Sequence, residues 1–305
     1  MIVSTLWLPV TLLAALMQTW RTALQQRLRG LLSVNAAGLV RYLYGVPFAA
    51  AFLAIYLVLA GRSLPALGPF FFLWSATGGL LQIVATNLLL MAFGFRNFTV
   101  GTAYAKTEAV QGAVLAFLLL GEALTPLAWI GIAIGVSGVL ILSLAGRRFS
   151  AGELMRATAQ PAALCGLGAG FLFALTAVSI KAATLTVASG DPVLRALTTL
   201  VVTNIMQSVM QGSWLAWREP AQFRAAFATW RSSAWVGALS ACGSACWFTG
   251  FASAPVALVR SVGQVEVVFT LLFSRFYLRE SLTRAEIVGT LVVVFGVLLV
   301  LRASL

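Results

Sequence analysis

Residues 108–140 recur 158 positions downstream without a gap. Glu108 falls on Glu266, Val110 on Val268, Glu122 on Glu280, Leu124 on Leu282 and Thr125 on Thr283. Gly131 falls on Gly289, and Gly138-Val139-Leu140 on Gly296-Val297-Leu298. Leucine-rich helices agree at many apolar positions by chance, but glutamates, threonines and glycines in register do not. A duplicated chain folds as two copies of one unit, so the repeat constrains the architecture before local propensity does.

The repeated unit belongs in a membrane. Of 305 residues, 61% are hydrophobic and only 9% charged, whereas soluble domains carry about 25% charge. Apolar runs of about 20 residues, parted by short polar breaks, predict transmembrane helices. Ten spans are expected, near 6–26, 36–60, 69–91, 98–120, 125–145, 161–184, 192–216, 232–252, 255–277 and 284–302. The chain thus reads as an all-α integral membrane protein of ten transmembrane helices. A first five-helix repeat covers 1–145, a linker "GRRFSAGELMRATAQ" covers 146–160, and a second repeat covers 161–305. Five is odd, so the second repeat enters from the opposite face and the repeats are inverted.

The arginines follow that inversion. Phe117, Gly121 and Pro126 correspond to Arg275, Arg279 and Arg284, while Arg27, Arg29 and Arg96 correspond to Leu185, Val187 and Ala254. Arginine has moved to whichever break lies on one chosen side, the trace left by the positive-inside rule. Breaks after odd-numbered spans hold most arginines, among them Arg147, Arg148, Arg156, Arg218, Arg224 and Arg231. Those breaks are expected in the cytoplasm and both termini outside. The N-terminus has no basic segment before its apolar run and does not read as a cleavable signal peptide.

Other function classes find little support. The net charge of +12 lies mostly in the breaks, which suits anionic headgroups, and no separate basic domain points to nucleic acid. Cys165, Cys242 and Cys246 are too few and scattered for a zinc site or a disulfide framework. With no histidine, few acids and no activated nucleophile, the chain is not expected to be an enzyme, and no cofactor or metal is expected. The expected partners are a small-molecule substrate and the lipid bilayer, with the chain acting as a monomer or homodimer.

"GEALTPLAWIGIAIGVSGVLIL" (121–142) and "RESLTRAEIVGTLVVVFGVLLVL" (279–301) resemble the repeat ends of EamA-type transporters of the drug/metabolite transporter superfamily. The shared pattern is an acidic residue, then Leu-Thr, a glycine and a Gly-Val-hydrophobic end. The resemblance implies a ten-helix carrier with a central cavity between two five-helix halves, in a bacterial inner membrane. The family moves amino acids, aromatic compounds, sugars, nucleotide sugars or drugs, commonly outward in bacteria. Many relatives have a proline one residue after the acidic position of the fourth and ninth helices. Here those places are Ala109 and Val267, so no proline kink is expected. Relatives are often described with cytoplasmic termini, the reverse of what these arginines imply.

Seven ionisable residues fall inside the spans: Arg21, Arg41, Lys106, Glu108, Lys181, Arg260 and Glu266. A charge at mid-membrane costs about 2.5–3.5 kcal/mol on insertion scales, so these must face a wet cavity or one another. Arg41, Lys181 and Arg260 have snorkelling as an alternative. Five cations against two carboxylates suggest an anionic or zwitterionic substrate such as an amino acid. Lys106 and Glu108 stand about 200° apart on a helix and are not a local pair. Glu108 shares its face with Tyr104 and Gln111, and Lys106 should reach another helix or a headgroup. Position 264 is Gln264, so only the glutamate recurs.

Other polar stripes are candidate cavity lining. Gln18, Arg21, Thr22 and Gln25 share one face, Gln82 and Thr86 another, Asn204, Gln207, Ser208 and Gln211 a third, and Ser240 and Ser244 a fourth. Each has interhelical hydrogen bonding as its structural alternative. Trp247 lies deeper than the other tryptophans, which read as interface anchors. Glu122 and Glu280 sit at span ends, where capping is expected, and Gly131, Gly135, Gly138, Gly289 and Gly296 suit close packing. The expected mechanism is alternating access, coupled to protons or as uncoupled facilitation, with a channel as a nearer alternative than a scaffold.

Overall fold

A computed structural model describes residues 3–28, 30–92, 104–143, 160–277 and 283–303. Among the described residues there are helices and no strand. In chain order these are α1 (Val3–Leu28), α2 (Val34–Leu43), α3 (Gly45–Ala60), α4 (Pro69–Ala92), α5 (Glu108–Leu120), α6 (Pro126–Ser143) and α7 (Pro161–Thr186). There follow α8 (Pro192–Arg218), α9 (Pro220–Ala228), α10 (Trp230–Ser253), α11 (Val256–Gly263), α12 (Glu266–Tyr277) and α13 (Arg284–Ala303). The linker 146–159, Glu280 and the arginines at 96 and 279 lie outside the described residues.

Each segment marked out by hydropathy contains helix. By length and composition five stretches can cross a membrane: the α2–α3 stretch Val34–Ala60, α4, α7, α8 and α13. Shorter apolar helices are α5 and Pro126–Leu142 of α6. The long helices α1 and α10, which carry more polar residues, lie along each other, with the Trp247 indole donating to Gln18 Oε1 at 3.1 Å. Outward faces are the apolar ones: Val58, Leu59, Leu118 and Leu291 are exposed, the reverse of a water-soluble surface. Together these features describe a multi-pass membrane protein.

The polar break at 217–231 holds a helix of its own. Pro220 occupies the first turn of α9, where its missing N–H costs nothing. The ninth segment is split instead. α11 ends at Gly263, Gln264 and Val265 form a turn, and α12 begins at Glu266. At the matching place in the first repeat, Lys106 and Thr107 form a turn and α5 begins at Glu108. The helices therefore break where no proline stands. The bonds tighten to i→i−3, with Thr107 N donating to Tyr104 O (3.2 Å), Gln264 N to Ser261 O (3.2 Å) and Val265 N to Val262 O (3.1 Å), a pattern frequent at hinges. In the first break the Thr107 hydroxyl also takes the Tyr104 carbonyl at 2.6 Å, competing with the helical ladder.

The chain forms two compact units, Met1–Ile83 with Thr176–Ala254, and Val84–Leu175 with Pro255–Leu305. Each draws on both sequence repeats, and the boundaries fall inside α4, inside α7 and between α10 and α11. In the first unit α1 lies along α10, and α8 packs on α2, α3 and α10. The Tyr44 backbone, at the α2–α3 junction, rests directly on Gly237. In the second unit α6 and α13 lie along each other and run antiparallel, since Gly131 meets Gly296 while Gly138 meets Gly289.

That contact is backbone on backbone. A Cβ on Gly131 would sit 2.8 Å from Gly296 O, and one on Gly296 2.5 Å from Gly135 N. Glycine is the residue that admits such an approach. Gly296→Val should cost about 3 kcal/mol or more through overpacking, seen as a lower melting temperature and loss of the monodisperse species in detergent. Gly190, with open space around it, should accept Val without either change.

Candidate functional site

The candidate residues divide evenly between the units. Tyr104, Lys106, Glu108, Gln111, Arg260, Gln264 and Glu266 belong to the second, and Gln18, Arg21, Arg41, Lys181, Asn204, Gln207 and Trp247 to the first.

In the second unit the two helix breaks face each other through their charges. Lys106 Nζ lies 2.7 Å from Glu266 Oε2, and Arg260 Nη1 lies 3.3 Å from Glu108 Oε1. The pairing is crossed: each repeat's glutamate is held by the other repeat's cation. Lys106 thus reaches another helix. The second arginine nitrogen, Nη2, donates to Phe173 O at 3.3 Å. Arg260 is buried and does not snorkel. Helix ends suit each sign as well. Glu108 and Glu266 open α5 and α12, and Arg260 lies in the last turn of α11, so the partial charges of the half-helix termini favour all three.

Amides surround this quartet. Gln111 Nε2 donates to the Thr107 hydroxyl at 2.8 Å, on the far side of the break, while its Oε1 is buried and finds no hydrogen bond among the described residues. Tyr104 is half-buried and precedes the turn, so the continuous Tyr104–Glu108–Gln111 stripe expected of an unbroken helix is interrupted between its first two members. Gln264 is 4% exposed, and neither its Nε2 nor its Oε1 is hydrogen bonded among the described residues. It rests on Gly135, where a Cβ would come within 2.7 Å of Gln264 Oε1. Glu122 caps a neighbouring helix, its Oε2 accepting the first amide of α11, Val256 N, at 2.8 Å.

The first unit's candidates mostly tie helices together. Gln207 Nε2 donates to Gly79 O (3.1 Å) and Gln82 Oε1 (2.8 Å). Asn204 stands against Gly45, Gln211 donates to Asn35 O at 3.0 Å, and Gln25 to Ala37 O at 2.7 Å. Trp247 joins Gln18 and stacks on Phe251 with ring centroids 5.9 Å apart. Lys181 Nζ donates to Ala254 O at 2.7 Å, and Arg195 Nη2 to Ala252 O at 3.1 Å. Two cations therefore close the carbonyl end of α10, where positive charge is favoured. Arg21 and Arg41 are buried, Arg41 with its guanidinium carbon 5.3 Å from the Tyr42 ring centroid.

Sequence reasoning missed two acidic anchors. Asp191 caps α8 and accepts the Tyr56 hydroxyl at 2.5 Å; its signal is the Asp-Pro pair opening an apolar run. Glu219 holds Ser33 Oγ at 2.5 Å and Asn35 Nδ2 at 2.7 Å. Nothing local in sequence marks that contact, which spans 186 positions.

Residues 160–302 match the model of the EamA-like transporter family. The second part of the chain is therefore similar to EamA-like transporters. EamA-like proteins fall in the drug/metabolite transporter superfamily and are transporters rather than enzymes. No curated protein matches the sequence significantly. One solved crystal structure superposes over 95% of this chain and 96% of its own, with a TM-score of 0.67 at 16% identity. A likeness at that identity speaks for the fold.

A buried ion pair is costly to halve and cheaper to replace whole. Lys106→Gln or Glu266→Gln alone should therefore destabilise the protein more than both together. A double-mutant cycle on thermal unfolding in detergent should give a coupling of at least about 1 kcal/mol, and additive effects would mean the pair is not formed.

Proposed function

We propose that the chain is an inner-membrane carrier that exports a small metabolite or drug-like solute by proton-coupled alternating access. In this reading it crosses the bilayer ten times as two inverted five-helix repeats, with basic loops in the cytoplasm and termini outside. The substrate is anionic or zwitterionic, an amino acid for example. The observation that carries the proposal is the crossed pairing of Lys106 with Glu266 and Arg260 with Glu108 at two matching helix breaks. Charges kept inside a membrane protein mark a transport pathway more often than a scaffold, and discontinuous helices commonly build such sites. The antiparallel meeting of Gly131 with Gly296 and Gly138 with Gly289 supports the inverted repeat.

The experiment is a growth screen. Cells express wild type or Glu108→Gln/Glu266→Gln at matched membrane levels and meet a panel of amino acids, aromatic acids, sugars, dyes and antimicrobials. Resistance from wild type alone is expected; sensitisation would reverse the direction to import, and identical curves would count against a transport role for the glutamates. The quartet's balanced charge favours a second reading, uncoupled facilitation, in which Glu108→Gln still supports wild-type transport at every pH.

Gln264 offers a mechanistic test. By the 158-residue offset it is the counterpart of Lys106, and inverted repeats alternate by exchanging conformations. The opposite-facing state then sets Gln264 on Glu108 and parts Lys106 from Glu266. Gln264→Lys should favour that state and slow turnover at least about 10-fold, equivalent to about 1.4 kcal/mol of state preference. Adding Lys106→Gln to it should make the slowing worse, because only the starting state loses its lysine.

A further inference from the structure

α2, α8 and α9 border an open groove of about 290 Å³ in the first unit. Its walls are apolar, formed chiefly by Leu39, Leu43, Val209, Gly212, Phe223 and Phe227. The two serines on it are already committed, Ser208 Oγ to Asn204 O at 2.8 Å and Ser213 Oγ to Val209 O at 2.7 Å. The groove therefore offers a polar ligand no free hydroxyl proton, only the remaining serine lone pairs. It suits an alkyl chain.

The helices that border it carry charge of one sign. Arg218 ends α8 and Arg224 follows Phe223 on α9, while beyond the groove Arg231 lies in the first turn of α10; all three are exposed. None forms an ion pair among the described residues. The nearest carboxylate in sequence, Glu219, is held by Ser33 and Asn35. Two of the arginines lie over indoles, Arg218 at 5.1 Å from the Trp217 ring centroid and Arg231 at 5.5 Å from that of Trp230. Exposed tryptophans paired with arginines are the composition of a headgroup layer. Juxtamembrane arginines gain from anionic headgroups and gain nothing net from zwitterionic ones.

We propose that this groove is a binding site for an anionic phospholipid, with an acyl chain against Leu39, Gly212 and Phe223 and the phosphate at the α8–α9 junction, beside Arg218 and Arg224. The occupant is a membrane lipid because the apolar groove and the cationic border are complementary to its two ends together. Gly212 keeps the groove open. A Cβ there would lie 3.7 Å from Leu39 and 3.9 Å from Phe223, so a methyl group fits and a longer side chain takes the space of the acyl chain.

The test is lipid retention. The full-length protein is reconstituted in vesicles of equimolar phosphatidylcholine and phosphatidylglycerol, extracted gently, and its bound lipid counted by native mass spectrometry. One phosphatidylglycerol per chain is expected, in preference to phosphatidylcholine by at least about fivefold. Gly212→Leu should abolish retention of both lipids. Phe227→Trp, at an exposed position, narrows the same groove should Gly212→Leu fail to fold. Arg218→Gln/Arg224→Gln should remove the preference while phosphatidylcholine is still retained. Equal retention of the two lipids by wild type, or unchanged retention in the folded groove variants, would overturn the proposal. So would displacement of the lipid by free glycerol phosphate, which would make the site one for a soluble phosphate compound.

Discussion

A charge removed from water must find its opposite within the protein, and the second unit is arranged around that requirement. Two glutamates at matching helix breaks each take a cation from the opposite repeat. The pairs do more than neutralise. Each joins the 106–108 segment to the α11–α12 segment, so the two breaks are held by each other. Loss of one member strands its partner in a low-dielectric setting, where an uncompensated charge costs several kcal/mol. The quartet is therefore one element, and any motion of either break must reckon with both pairs.

Beside this polar element lies a stiff one. α6 and α13 meet through Gly131, Gly138, Gly289 and Gly296 with backbone against backbone, and Val139, Leu142 and Val293 pack with Val267, Val268 and Leu271 of α12. Interiors so closely packed do not deform gradually. The breaks, with their shortened i→i−3 bonds, are where the chain bends most readily. A rigid helix pair adjoining two interrupted helices is a division of labour that suits movement about fixed hinges. The glycines and the glutamates are also the residues that recur most plainly at the repeat offset, so duplication preserved both the rigid seam and the charged breaks.

Much of this was legible in the sequence. Hydropathy located the helical segments, the repeat offset singled out Glu108 and Glu266, and the glycines marked helices suited to close packing without naming their partners. Pairing was harder to read, because periodicity tells which side of a helix a residue faces and nothing about what stands opposite. Lys106 ranked below the glutamates since position 264 is glutamine, yet Lys106 is the partner of Glu266. No proline kink was expected at 109 and 267, and the helices are interrupted just before those positions without one, with Thr107 bonding the Tyr104 carbonyl in the first break. Polar stripes were the least specific signal. Gln207 and Gln25 bind backbone carbonyls of other helices, and Lys181 closes the end of α10, roles indistinguishable from cavity lining in a helical wheel.

The balance of the quartet links two features of the proposed transport cycle that are usually treated apart. Two cations and two carboxylates leave no net charge. A proton arriving on Glu266 would release Lys106, which then needs another anion; a substrate carboxylate could supply it. Proton and anion would enter the site together, and an inward proton gradient would drive such a substrate inward. Export by exchange requires the reverse, that proton and substrate compete for one group. A zwitterion meets that condition. Its ammonium takes a glutamate, its carboxylate takes the lysine or arginine so released, and the site remains neutral throughout. A proton on the glutamate then excludes the ammonium. Within the proposed carrier, proton-exchange export therefore suits the zwitterionic member of the proposed substrate class better than the anionic one.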